Sequence, residues 1–242
     1  GGGVVGDLAG FLASIFMMAL VSTNVVGLVI IRYISYFSVK SQFDKIAELS
    51  QNTLKILFVA GFFIFLLLSL FSRPIGSILK IYKPGTIEPV VLPMIILGLT
   101  LWAFLMVIGL QSILNGLQRF GMLGLSRIVE SAATLIIGLV LVVAGLGING
   151  AMIALLLGAI ASIFFTSLPV KNIFMIKPSR LGKLGIKNYL LISAIASVSM
   201  AVMLNTDVII VKALFDELQA GYFAAASIIG GVVFFVSMSI NS

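Results

Sequence analysis

The sequence predicts an all-α integral membrane protein with about seven transmembrane helices, and three observations lead there. Of its 242 residues, 61% are hydrophobic and 10% charged, and the mean hydropathy is +1.26. A soluble domain of this size has too little interior to hide that much apolar surface, so most of it faces lipid or neighbouring spans. The apolar residues come in long unbroken runs rather than in alternation, which selects helices over barrel strands. Of the 15 Lys and Arg residues, all but Lys55, at the edge of the second run, lie between the runs, and they divide unevenly between the two sides.

The runs cover residues 8–31, 54–72, 90–114, 128–146, 148–170, 189–210 and 221–240. Each has the roughly 20-residue length that a helix needs to cross about 30 Å of hydrocarbon. Between the first two, residues 39–51 place Phe43, Ile46 and Ala47 on one helical face and charges on the other. That pattern predicts an amphipathic helix lying on the inner leaflet. The loop after the second run repeats apolar positions at Ile75, Ile78, Leu79 and Tyr82, then turns at Pro84-Gly85, and also reads as interfacial. Residues 145–150, Gly-Leu-Gly-Ile-Asn-Gly, predict a tight turn between antiparallel helices. Gly150, Ala154 and Gly158 form a ladder of small residues that permits close helix packing.

Basic residues orient the spans. Arg32, Lys40, Lys45, Lys55, Arg119, Arg127, Lys171, Lys177, Arg180, Lys183 and Lys187 fall on one side, and Arg73, Lys80, Lys83 and Lys212 on the other. The richer side is the cytoplasmic one by the positive-inside rule. Residue 1 is then outside and residue 242 near the cytoplasm. No basic n-region precedes the first apolar run, so a start outside predicts a further helix upstream in a longer chain. The opening of the first run, from Val5, and that of the seventh, from Ala220, share a Gly, aromatic and Ala pattern, as parallel repeats in transporters would.

Composition narrows the chemistry. With no Cys and no His, thiol redox chemistry, disulfides, most zinc sites and His acid–base catalysis are excluded. No phosphate loop, metalloprotease signature, nucleophile elbow or calcium loop occurs. The net charge of +7 comes from basic residues between apolar spans, a pattern of topology and not of nucleic-acid binding. No cofactor is expected.

Polar residues within spans are costly, about 2.5–3.5 kcal/mol for a central charge, and so are the candidate functional residues. The inner ends of the first, third and fourth spans collect Arg32, Arg119 and Arg127 with Asn24, Gln111 and Asn115. If these ends converge, they make a cationic, hydrogen-bonding mouth suited to a lipid pyrophosphate, because Arg presents paired donors to phosphate oxygens. Glu130, three residues after Arg127, is expected to form a local ion pair with it. In the sixth span Asp207, with Asn205, is a candidate for binding an ion or pairing helices.

Several segments are familiar in order. Gly27-Leu-Val-Ile-Ile-Arg-Tyr-Ile34 resembles the end of the second helix of the polysaccharide-biosynthesis, or O-antigen-type oligosaccharide, flippases. That family belongs to the superfamily that also holds multidrug and toxin extrusion transporters. The stretch from Gln111-Ser-Ile-Leu-Asn-Gly-Leu-Gln-Arg-Phe120 to Arg127-Ile-Val-Glu130 is similar to its fourth-to-fifth-helix connection, and 145–151 to its next turn. Asn205-Thr-Asp-Val-Ile-Ile-Val-Lys212 and Ala220-Gly-Tyr-Phe-Ala-Ala-Ala226 resemble its seventh and eighth helices. The resemblance implies a fragment of a 12–14-helix, two-lobed transporter. Residues 1–170 would be first-lobe helices two to six, 171–187 a basic cytoplasmic linker, and 188–242 the start of the second lobe.

It also implies a non-enzymatic flippase in the cytoplasmic membrane that moves an undecaprenyl-pyrophosphate-linked oligosaccharide by alternating access. Its partners would be membrane lipids, the lipid-linked glycan, Na⁺ or H⁺, and a polysaccharide polymerase or glycosyltransferase. Arg32, Arg119, Arg127 and Asp207 are the residues that the matching segments carry over. The rival expectation is a cation-coupled small-molecule exporter, which calls for a buried carboxylate in the first lobe. A membrane glycosyltransferase would need an outer loop bearing catalytic acids, and the longest outer loop, 73–89, holds only Glu88.

Overall fold

Long apolar runs become continuous helices, with Pro93 confined to the start of its run and Pro169 to the end of its own, and these helices outrun the spans that the sequence marks. A computed structural model describes residues 27–72 and 88–176, together with single residues between 192 and 226. Among the described residues all regular structure is helical. The helices are α1 (Gly27–Val39), α2 (Phe43–Leu70), α3 (Glu88–Gly116), α4 (Phe120–Leu141) and α5 (Gly147–Phe174). A π-helical turn, Val142–Leu146, continues α4. Four of these helices are long and apolar enough to cross a membrane, as an all-α membrane protein requires. The chain divides into two compact units, Gly1–Ala194 and Ile195–Ser242, and all five helices belong to the first.

The expected surface helix at 39–51 is not a separate element. Its residues form the first turns of α2, which runs unbroken from Phe43 to Leu70. No glycine or proline interrupts the chain between 43 and 60, and Ser50, Gln51 and Asn52 tolerate helix, so nothing ends it at the membrane border. At 28 residues α2 is about 42 Å long, about 12 Å more than the hydrocarbon thickness. The apolar face is real, although Ile46 and Ala47 are fully buried against protein while Phe43 is half exposed.

Two connections share one geometry. After α1, Ser41 has φ 53° and after α3, Gln118 has φ 58°. Ser41 N–H donates to Ser38 C=O at 3.0 Å and Gln42 N–H to Phe37 C=O at 3.0 Å. Gln118 N–H donates to Asn115 C=O at 2.9 Å and Arg119 N–H to Leu114 C=O at 3.0 Å. Both are Schellman caps with a left-handed residue just past the helix, a place glycine usually takes. The following residues match too: Gln42 lies at φ −92°, ψ 67° and Arg119 at φ −85°, ψ 59°. Each turn is followed at once by an exposed phenylalanine, Phe43 or Phe120.

The turn expected at 145–150 closes earlier. Gly145 (φ 91°) and Gly147 (φ 51°) take the two left-handed positions, and Asn149 and Gly150 already belong to α5. Only glycine adopts such angles without strain, so the chain reverses where two glycines flank one residue.

The helix α3 is the pillar of the bundle. Its apolar segment is 56% buried, against 11% for α2 and none for α4. On one side it packs against α2, where Gly61 lies directly against the Trp102 ring and stands beside Phe58, Phe62 and Phe65 of the same aromatic cluster. On the other it packs against α5, and α4 in turn packs against α5. The ends of α1, α2, α3 and α5 meet in an apolar plug of Ile30, Ile34, Phe37, Ile46, Ala47, Leu49, Ile113, Leu114, Val170 and Ile173. Side chains tie the same ends to backbone carbonyls. Ser35 Oγ donates to Gly116 O at 3.1 Å, Gln51 Nε2 to Phe174 O at 3.3 Å and Arg119 Nη1 to Pro169 O at 3.1 Å. The chain ends gathered here carry Arg32, Lys40, Lys45, Arg119 and Lys171, five of the residues that the sequence assigns to one side.

Candidate functional site

Polar side chains inside apolar helices need partners on neighbouring helices, and three such residues find one another. Gln111 on α3 is buried. Its amide donates to Glu130 Oε2 on α4 at 3.0 Å and to Ser162 Oγ on α5 at 3.3 Å. Ser162 is fully buried, and one turn on, the Thr166 hydroxyl is bonded back to the Ser162 carbonyl. On α4, Thr134 lies one turn after Glu130, and its hydroxyl abuts Gly158 of α5. A carboxylate, an amide and three hydroxyls thus share the junction of three helices.

The local sequence explains the convergence. Glu130 and Thr134 are four residues apart, as are Ser162 and Thr166, so each pair lies on one helical face. Gly158 has no side chain to separate those faces, and its Cα lies near the Glu130 carbonyl; a Cβ there would stand 3.0 Å from that oxygen. In lipid a polar bond between helices contributes about 0.6 kcal/mol on average and up to about 1.7 kcal/mol. Its larger effect is on specificity, because an unpaired buried amide or carboxylate costs about 1–3 kcal/mol or more.

This arrangement corrects the expected Arg127–Glu130 ion pair. Glu130 takes its hydrogen bond from Gln111, and among the described residues no ion pair joins it to Arg127. Arg127 is exposed and borders a shallow groove with Ile128, Ser131, Ala132 and Leu135, all on α4. Arg119, also exposed, reaches the end of α5 through Pro169. Arg32 is exposed on α1 and makes contacts of its own. Asn115 is half-buried, and its carbonyl closes the α3 cap. Asn24, Asn205 and Asp207 lie outside the described residues, as do the outer loop 73–87, most of the linker 171–187 and the segments that suggest an internal repeat.

The structure thus joins Gln111 to Glu130 and Ser162, and brings Arg119 to α5. Ser162, Thr134 and Thr166 escaped the sequence reading. The signal was present as polar pairs at a spacing of four on two successive apolar runs. Among the described residues no cluster of metal-ligating side chains occurs. Comparison with protein-family models, curated proteins and solved structures finds no match for the chain.

Proposed function

We propose that this membrane protein is a flippase that moves a lipid-linked, undecaprenyl-pyrophosphate-bound oligosaccharide across the cytoplasmic membrane by alternating access. The observation that carries the reading is the set of helix ends meeting on one face with Arg32 and Arg119 exposed beside them. The ordered resemblance of the sequence segments to oligosaccharide flippases supports it. Guanidinium groups at the mouth bind the pyrophosphate through paired hydrogen bonds, and the polyprenyl tail stays in lipid. No covalent bond is made or broken.

A second reading, the cation-coupled small-molecule exporter, is favoured by the Gln111–Glu130–Ser162 junction. That reading needs a carboxylate inside the first lobe, and Glu130 is one whose partner is a neutral amide.

One experiment separates the two. The full chain is reconstituted in vesicles, and the movement of a fluorescent pyrophosphate-linked polyprenyl glycan is followed beside the efflux of a small organic cation. For the flippase, R32Q/R119Q/R127Q lowers glycan movement at least about tenfold, the effect of about 1.4 kcal/mol of lost phosphate binding, and E130Q leaves it within about twofold. For the exporter, E130Q abolishes ion-driven dye efflux and the triple substitution spares it. Unchanged glycan movement in a correctly inserted triple variant overturns the flippase.

A further inference from the structure

We infer that the α1–α2 turn, seconded by its twin between α3 and α4, is a docking surface for anionic phospholipid headgroups. The turn combines the two features that such a surface needs. Tyr36 and Phe43 are each 50% exposed and Val39 is 83% exposed, an apolar rim that nothing among the described residues covers. Two cations flank that rim: the Lys40 ammonium donates to the Tyr36 hydroxyl and lies 4.3 Å from its ring centre, and Lys45 Nζ lies 5.7 Å from the ring centre of the buried Phe37. These contacts keep both ammonium groups close to the apolar surface, and each retains N–H donors for a phosphate.

Depth agrees with this occupant. Ile34 and Ile46 pack level with Leu114 and Val170, at the border of the apolar spans. The helix α1 runs five residues beyond Ile34 to Val39, roughly 7–8 Å further out, and the turn at Ser41 caps it where a bilayer places its headgroups. Aromatic rings at that level prefer the interface to water, and lysines there gain from the negative surface potential. The charge is complementary to a lipid phosphate, and the apolar rim to the glycerol and upper acyl chain.

The second turn repeats the design independently. The same Schellman geometry presents Phe120, 60% exposed, directly after Arg119. Two non-glycine residues in left-handed backbone, Ser41 and Gln118, hold both phenylalanines just past equivalent caps at the same end of the bundle. The paired turns therefore act as a two-point interfacial anchor, with the lysines of the first turn selecting the anionic headgroup. The two turns anchor the chain in this way whatever it transports.

The test uses the full chain in detergent mixed with chain-matched phosphatidylglycerol and phosphatidylcholine, with retained lipid counted by native mass spectrometry. The native chain is expected to retain phosphatidylglycerol preferentially. K40Q and K45Q each reduce that preference about fivefold, while K40R/K45R keeps it. F43S/F120S lowers the retention of both lipids without changing their ratio. Helicity by circular dichroism confirms that each variant is folded. A preference unchanged in K40Q/K45Q overturns the proposal. So does displacement of the bound lipid by millimolar inorganic phosphate, which would mark a site for a soluble phosphate compound.

Discussion

Replacing Gly158 by Leu is expected to prevent α5 from docking on α4 and to destabilise the folded bundle by about 3 kcal/mol or more. The cause is steric and local. A single Cβ at this position would collide with Thr134 Oγ1 and come within 3.0 Å of the Glu130 carbonyl and 3.2 Å of Thr134 Cβ. Threonine in a helix has only two χ1 wells, changing between them leaves its Cβ in place, and the Glu130 carbonyl is backbone. The only escape is separation of the helices, which also parts Glu130 from Gln111 and Ser162. Even Gly158→Ala should cost about 1–2 kcal/mol, and Thr134→Ala in the same chain should recover part of that. Thermal unfolding in mild detergent, followed by circular dichroism, reads both effects. A Gly158→Leu variant that melts with the native protein would show that these two helices do not meet here.

Ile46→Asp should be comparably damaging for a different reason. Ile46 is fully buried in the plug where α1, α2, α3 and α5 meet. An aspartate there is a buried charge with apolar neighbours, costing about 3 kcal/mol or more unless the first turns of α2 peel away. The plug is built from helix ends, and with those ends at the membrane border water and headgroups would be its alternative environment, so apolar burial would stabilise it much as in a soluble protein. Deeper in the bilayer the same burial would be nearly neutral, because lipid is as apolar as isoleucine. The native chain has no cysteine, so one introduced at Leu49, which is buried, reports the detachment by its alkylation rate. Ile46→Asp should speed that labelling at least tenfold, while the same charge at exposed Asn52 should leave it unchanged. Equal labelling in the two variants would contradict a packed plug.

The presence of helices was legible residue by residue. Runs such as 90–114 and 148–170 are predominantly apolar and carry no charge, and in lipid a backbone with no other partner must bond within itself. Helix ends were less legible. The amphipathic residues 39–51 read as a surface element because charge marks where hydrocarbon stops. Charge does not mark where a helix stops, and α2 begins at Phe43 because Ile46, Ala47 and Leu49 find protein to pack on. The caps at Ser41 and Gln118 were hidden for a related reason. A left-handed position usually announces itself by glycine or asparagine, and here serine and glutamine occupy it.

The candidate site divides the same way. Gln111, Asn115, Arg119 and Glu130 all stood out as polar residues near or within apolar spans, since the cost of placing them there depends only on the medium. Their partners could not be read from spacing. Arg127 is Glu130's nearest opposite charge along the helix, yet the carboxylate turns to Gln111, nineteen residues away in sequence and 3.0 Å away in space. By itself the sequence determined that this chain belongs in a membrane, as helices, with its basic residues unevenly shared between the ends. The tertiary structure alone decided that α3 is the pillar, that α4 lies outside, and that Glu130 meets Gln111 and Ser162. Those outcomes depend on which glycines let two helices touch, and contact between helices is set by the shape of both surfaces, not by the polarity of either.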